Sequence, residues 1–401
     1  MLTISEKIDS YNKDLLTSQV AWKYKLLTEN PFSFFRGTNH LFYEDLSLAT
    51  LPPSPLCWTC GDLHIENFGS YKGDNRLVYF DINDFDESIL APVAFDLTRV
   101  ITSILVAFNA LKITDKEAIR SCEIFLRKYS KILVNGSPRY IETRTATGIV
   151  KEFLRSVEGR SEKKLLTERT EKKKGVLLLR SIKNRQLTPD IELKKNLIKA
   201  FKKWLQSQNQ RFNDYKVLDV KFRVAGTGSV GMYRYVFLIE KNSDKRRHLL
   251  IDMKQATASS LKSFVNVPQP DWESDAHRIV SVQRIMQNIP PAKLSTLDFE
   301  GKSYVIQELQ PTADRINFEM IQDRFKVVCS VVEDMAMITA SAHLRGVGRK
   351  GSCSADELIA FGQNTNWHTE LINYSAGYKK KVNNDYNEFK RTLKLKKNEG
   401  E

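Results

Sequence analysis

Apolar and polar positions follow two different rhythms along this chain, and the change of rhythm divides it. Up to about residue 56 apolar residues recur at helical spacing, broken by an expected loop at NPFSFFRGTNH. Then comes CWTCGDLHIENFGS, a short KGDN turn, the strand-like LVYFDI and an acidic turn, NDFDES. From 91 to 133 the helical period returns. The charged run RSEKKLLTERTEKKKG reads as a solvated helix face or loop, and helices are expected to resume through Phe212. Beyond that point the period shortens, and 216–240, 248–254 and 303–309 predict strands of a small antiparallel sheet, with one helix over 272–287 among them. After PTADR the chain reads as helical to about His343, and again from Ala355.

The pattern predicts an α+β fold of two lobes, one a small antiparallel sheet and the other larger and helical. Residues 1–56 are expected to be a helical N-terminal segment of the large lobe, and 57–214 to carry its loops and helices. Residues 215–310 are the sheet lobe, and 311–401 a connection with helices returning to the large lobe.

Composition narrows the partners. The chain has 401 residues, 41% of them hydrophobic and 27% charged, enough to bury a core and unlike a disordered sequence. A formal net charge of +14 favours anionic partners such as nucleotides, nucleic acid or acidic lipid. The apolar stretch 89–111 carries Asp96 and Arg99, which argues for a buried helix instead of a membrane span. The start has no basic region followed by an apolar run, so a cytoplasmic protein is expected. The five cysteines are expected to be buried free thiols; a zinc site at Cys57 and Cys60 would need a second pair of ligands.

Two groups of residues carry candidate chemistry. Gly226, Thr227, Gly228, Ser229 and Gly231 belong to GTGSVG, which lies between two predicted strands, unlike a dinucleotide fingerprint that opens a helix. A glycine hairpin of this kind can lie over phosphates, and Lys254 at the end of the next strand can neutralise them. In GDLHIENFG, Asp62 and Asn67 are five positions apart, the spacing of a catalytic base and a metal-holding Asn in kinase catalytic loops. Asp84 of the acidic turn is the candidate metal carboxylate, with Asp81 as alternate. His64 is a candidate to steady a transferring group.

These residues resemble the aminoglycoside and choline phosphotransferase branch of the protein-kinase-like superfamily, whose catalytic loop reads HGDLHxxN, with Cys60 in place of the leading His. In that branch a further Asp follows the metal aspartate by twelve positions, and Asp96 in FDLTR stands twelve beyond Asp84. PFSFFRG, GDLHIENFG, NDFDES, GTGSVG and ASAHLRG together resemble an uncharacterised bacterial family known only as a domain of unknown function. That resemblance also suggests Arg36 and His40 as cleft residues. His343 reads as structural. The motif order is reversed, since Asp62, Asn67 and Asp84 precede the glycine loop and Lys254, which implies a circular permutation.

The resulting expectation is a phosphotransferase using ATP and Mg2+ on an unidentified small-molecule or protein acceptor. Lys254 and the glycine loop would hold ATP, Asn67 and Asp84 magnesium, and Asp62 the acceptor hydroxyl. The kinase lysine usually has a glutamate partner in the next helix, and here only Asp275 or Gln283 shares the inward phase. A nucleotide-binding pseudokinase therefore remains open, as does transfer of AMP by the same site. A basic nucleic-acid binder rests on charge alone.

Overall fold

The computed structural model describes residues 2–182, 186–208, 212, 214–224, 230–310 and 315–398. Four helices open it: α1 (Ile4–Tyr11), α2 (Thr17–Leu27), α3 (Pro31–Gly37) and α4 (Asn39–Ser47). The expected loop at PFSFFRG is α3. The Asn30 side chain caps it by accepting from the Ser33 amide at 2.8 Å, Pro31 takes the first turn, and Phe32, Phe34 and Phe35 are buried.

Next, β1 (Leu56–Thr59) pairs antiparallel with β4 (Ile89–Pro92), closing a loop that contains the hairpin of β2 (Phe68–Lys72) and β3 (Val78–Ile82). The ribbon fixes both ends of the segment holding GDLHIENFG and NDFDES. The long helical stretch is two helices, α5 (Ala94–Ala110) and α6 (Asp115–Asn135). They break where Lys112 takes φ 58° and Thr114 forms a reciprocal capping box with Glu117. The short strand β5 (Ile141–Glu142) extends β3, and α7 (Gly148–Glu158) follows.

The charged run is ordered as α8 (Glu162–Arg169) and a hairpin of β6 (Thr170–Lys173) and β7 (Val176–Leu179). Beyond it come β8 (Gln186–Leu187), α9 (Ile191–Ser207), β9 (Tyr215–Arg223), β10 (Arg234–Lys241), β11 (His248–Gln255), α10 (Asp275–Met286), β12 (Ser295–Phe299) and β13 (Lys302–Glu308). The strands form one antiparallel sheet in the order β12-β13-β11-β10-β9-β8.

Alternation along the strands gives this sheet two unlike faces. Tyr235, Phe237, Ile239, Ile251 and Met253 pack on Leu197, Phe201, Trp204 and Leu205 of α9, with Phe201 stacked on Phe237 at 3.9 Å. The other face presents Arg223, Arg234, Asp252 and Lys254, and further along a small apolar cluster of Val236, Leu238 and Leu250 with Leu179 of β7. The sheet's own core therefore reaches back to α9, ahead of the boundary expected at residue 215.

After β13 the chain returns as α11 (Phe325–Gly346), α12 (Ala355–Gln363) and α13 (Trp367–Asn398). Helix α11 has the length and apolarity of a membrane span, the one such helix among the described residues, but it packs against α6, α7, α10 and β1 as a core helix. All five thiols are free. Cys57 faces Cys353, Sγ to Sγ 3.5 Å, and not Cys60.

Candidate active site

Asp96, in the first turn of α5, holds the GDLHIENFG loop by its backbone. Its carboxylate accepts from the Cys60 amide at 2.9 Å and the Gly61 amide at 3.1 Å, while His343 Nε2 of α11 lies 3.4 Å from Oδ2. Gly61 takes φ 82° with the Glu87 carbonyl 2.0 Å from where a Cβ would stand, so no other residue fits there.

One turn along α5, Arg99 reaches the loop's aspartate. Its Nε and one terminal nitrogen donate to Asp62 Oδ1 at 2.9 and 2.8 Å, and the same terminal nitrogen donates to the Phe35 carbonyl at 2.9 Å. The guanidinium lies 3.6 Å from the Phe35 ring centroid and is fully buried. Burial nevertheless raises the Asp62 pKa to about 7, against the pull of Arg99 and helped by Glu87 and Asp84. The Asn67 amide donates to the Asp62 carbonyl at 2.6 Å, which ties together the two residues predicted five positions apart.

His64 is buried. Its Nδ1 faces the Glu66 amide at 3.2 Å and its Nε2 faces Arg36 Nε at 3.3 Å and Asp62 Oδ2 at 4.0 Å. Burial, then Arg36, Arg99 and Arg315, push its pKa well below the ordinary imidazole value, so the ring is neutral at neutral pH. The positive charge beside it belongs to Arg36, which is ion-paired with Glu66; Arg315 pairs with the same Glu66 oxygen.

Lys254 meets the acidic turn directly. Its Nζ is 3.8 Å from Asp84 Oδ1 and ion-paired with Asp86. Burial lowers its pKa, but Asp84 and Asp86 outweigh that and leave it raised. Neither Asp275 nor Gln283 is its partner: Asp275 pairs with Arg278, which spans from α10 to the carbonyls of Ser88, Asp86 and Thr257 at 2.5, 3.0 and 2.8 Å. Asp81, the alternate metal residue, is buried on β3 and accepts from the Ile82 amide at 2.8 Å; burial pushes its pKa up to about 6 against the pull of Arg345. It lines neither cavity described below.

Two cavities meet here. The larger, about 770 Å³, has Asn67, Asp84, Lys254, Arg223 and Arg234 on its walls, the end of β13 and the residues after it, 307–310, at one side, and Arg160, Lys164 and Arg169 from around α8 at the other. The smaller, about 340 Å³, is lined by Asp62, Asp84, Asp86 and Glu87, by Tyr11 and Lys23 of α1 and α2, by Asp14 and Leu15 of their connection, and by Gly231. Gly231 has φ 96°, and a Cβ there would sit 2.8 Å from Leu15 Cβ, while its carbonyl accepts from the Leu16 amide at 2.9 Å. Gly226, Thr227, Gly228 and Ser229 lie outside the described residues. His40 lines neither cavity; it is buried and stacked on Tyr11 at 3.8 Å.

The sequence-predicted residues Asp62, Asn67, Asp84, Gly231 and Lys254 thus surround two adjoining cavities, whereas His64 lines neither and lies buried behind Arg36. Sequence reasoning missed Asp86, Arg99 and the Arg223–Asp252–Arg234 cluster. Of these, Arg99 carried a signal: it stands three residues after Asp96 in FDLTR, on the same helix face.

The fold and site define an α+β protein with a polar cleft between a sheet and a helical body. The chain belongs to the bacterial family described as "Uncharacterized protein conserved in bacteria (DUF2252)", whose profile matches residues 15–392. No curated protein and no solved structure matches it.

Proposed function

We propose that this protein is an ATP- and magnesium-dependent phosphotransferase with a kinase-like, circularly permuted arrangement. The observation that carries the reading is the meeting of Lys254 with Asp84 and Asp86 at 3.8 Å and closer, beside the Asp62–Asn67 loop, from segments far apart in the chain. Further support comes from the element order, in which the hairpin of β9 and β10 adjoins the lysine strand β11, followed by α10, β12, β13 and a connection into helices.

The donor set fits magnesium held partly by substrate. Among the described residues no three His, Cys, Asp or Glu side chains form a ready metal cage. Magnesium needs only one or two protein carboxylates when phosphates and waters complete its shell, and Asp84 is half-exposed at the cavity junction. Asn67 spends its NH2 on the Asp62 carbonyl, so its amide oxygen is the ligand atom on offer. When bound there, magnesium supplies neutralising charge on the phosphates.

The chain's own groups do the rest. Lys254 binds nucleotide phosphate in the larger cavity, at the cost of its contacts to Asp84 and Asp86. Arg99 fixes Asp62 through Oδ1 and leaves Oδ2 to orient an acceptor hydroxyl and take its proton. A carboxylate with a pKa of about 7 is suited to accept and release that proton near neutral pH.

A second reading, AMP transfer with ATP reversed, has one observation in its favour: Arg160, Lys164, Arg169, Arg223 and Arg234 make the large cavity's walls basic, a lining that accepts phosphates away from Lys254. Incubation with ATP, magnesium and panels of amines, sugars and proteins, read by mass, separates the two. Added phosphate supports the first reading and an added nucleotide the second. No adduct together with no ATP binding by calorimetry rejects both.

A further inference from the structure

Among the described residues, Arg36 and Asp84 are the two that line both cavities. A group leaving the larger cavity for an acceptor in the smaller one must pass between them. Asp84 is negative and Lys254 lies on the nucleotide side, so the cation facing that passage is Arg36. The other cations nearby are committed or silent. Arg99 is fully buried, with Nε and one terminal nitrogen held by Asp62 and that nitrogen also on the Phe35 carbonyl; Lys23 of the smaller cavity donates to Asn12 Oδ1 at 2.8 Å; and His64 sits behind Arg36 with Nε2 3.3 Å from Arg36 Nε.

The ion pairing of Arg36 leaves it free to move. It pairs with Glu66 through the same carboxylate oxygen that Arg315 holds, so Glu66 stays neutralised when Arg36 turns away. A single salt bridge would have left a carboxylate uncompensated in a partly buried place. Arg36 also comes from the end of α3, a short helix anchored by Phe32, Phe34 and Phe35, so its base does not move.

We propose that Arg36 is a catalytic residue that contacts the phosphoryl group in flight, an arginine finger supplied within the chain. The inference rests on the phosphoryl-transfer reading. The acceptor hydroxyl oxygen bonds to the γ-phosphorus as the bond from that phosphorus to the β,γ-bridging oxygen breaks; the bonding pair leaves with ADP, and the hydroxyl proton goes to Asp62. Arg36 donates to the equatorial oxygens, whose charge is exposed to it only during the passage. Its contribution therefore falls on turnover and not on ground-state binding of ATP.

The test compares the full chain with Arg36→Met, Arg36→Lys and Arg36→Ala, using ATP hydrolysis as the transfer to water and calorimetry for Mg-ATP. Arg36→Met is expected to lower kcat by about 10²–10³-fold with the Mg-ATP Kd within about threefold. Arg36→Lys, which keeps the charge and guards against a folding defect, is expected to fall between, because a point charge lacks the planar fork. Free guanidinium at millimolar concentration is expected to restore part of the Arg36→Ala rate, an effect that a purely structural role would not give. Parental kcat in Arg36→Met, or a loss confined to KM, overturns the proposal while leaving phosphoryl transfer intact. A parent chain that neither binds nor hydrolyses ATP overturns both.

Discussion

Two carboxylates, one partly and one fully buried, sit beside arginines in this molecule and titrate in opposite directions. Asp62 is pushed up to about 7 by burial that one arginine only partly offsets. Asp252, also buried, is held down at about 2 because Arg234 and Arg223 together outweigh its burial. The difference is one of saturation. Arg234 takes both Asp252 oxygens at 2.7–3.0 Å and Arg223 adds a bond of 2.6 Å, whereas Asp62 gives Arg99 only Oδ1. A fully bonded carboxylate is a clamp between strands, and a half-bonded one is what the proposed base requires. The clamp also explains how Arg234 tolerates Lys254 directly across the β10–β11 register, a like-charge pairing that is unfavourable without it.

The largest expected effects set the two aspartates against each other. Replacing Asp252 with Asn should destabilise the fold by about 3–5 kcal/mol in denaturant melts, because two partly buried guanidiniums lose their fully buried counter-charge. Asp62→Asn keeps an oxygen for Arg99, so it should fold, and it should lose about 10²–10⁴-fold in ATP turnover with Mg-ATP affinity nearly unchanged. An Asp62→Asn chain with parental turnover, or an Asp252→Asn chain as stable as the parent, would collapse the distinction between clamp and base.

Lys254→Met probes the ground between them. It should weaken Mg-ATP about tenfold, or about 1.4 kcal/mol, as well as turnover, and calorimetry reads the first part directly. An unchanged Kd would mean that Lys254 serves only to hold the acidic turn.

A further effect, of similar size, concerns protons. Burial, then the neighbouring Lys23, Lys7 and Arg99, hold the His40 pKa down at about 3. The unfolded imidazole protonates below about 6.5 and the native one does not, so His40 contributes a stability loss as pH falls from that value towards the native pKa. Asp252 has the same sign in a lower window, since its stabilisation is present above the unfolded carboxylate value and is lost as pH falls through about 2. Asp62 has the opposite sign: a raised pKa gives stability below the unfolded carboxylate value that disappears as pH rises through about 7. Replacing His40 with Phe, which keeps the stack on Tyr11, should therefore remove about 1.5 kcal/mol of acid sensitivity between pH 6.5 and 5 relative to the parent. A parent and variant with parallel pH–stability curves would show that His40 is accessible to protons in the native state.

The sequence by itself determined what local rules govern. Helical and strand periods gave the elements, because side-chain direction repeats every 3.6 or 2 residues. The spacing within GDLHIENFG brought Asp62 and Asn67 together, because a short loop leaves few ways to connect five residues; the Asn67 amide on the Asp62 carbonyl at 2.6 Å is the outcome. The error was also local: PFSFFRG reads as a loop although Asn30 and Pro31 mark a helix start, whereas the charged run, expected as a solvated helix face or loop, does contain the solvated helix α8, which has no buried residue. Tertiary structure alone decided the pairings. That Lys254 would meet Asp86 instead of Asp275 or Gln283, that Arg99 would claim half of Asp62 and that Arg36 would stand between two cavities depend on how distant segments are packed. Charge–charge contacts carry no sequence period, and an aspartate reads the same whether one arginine or two will reach it.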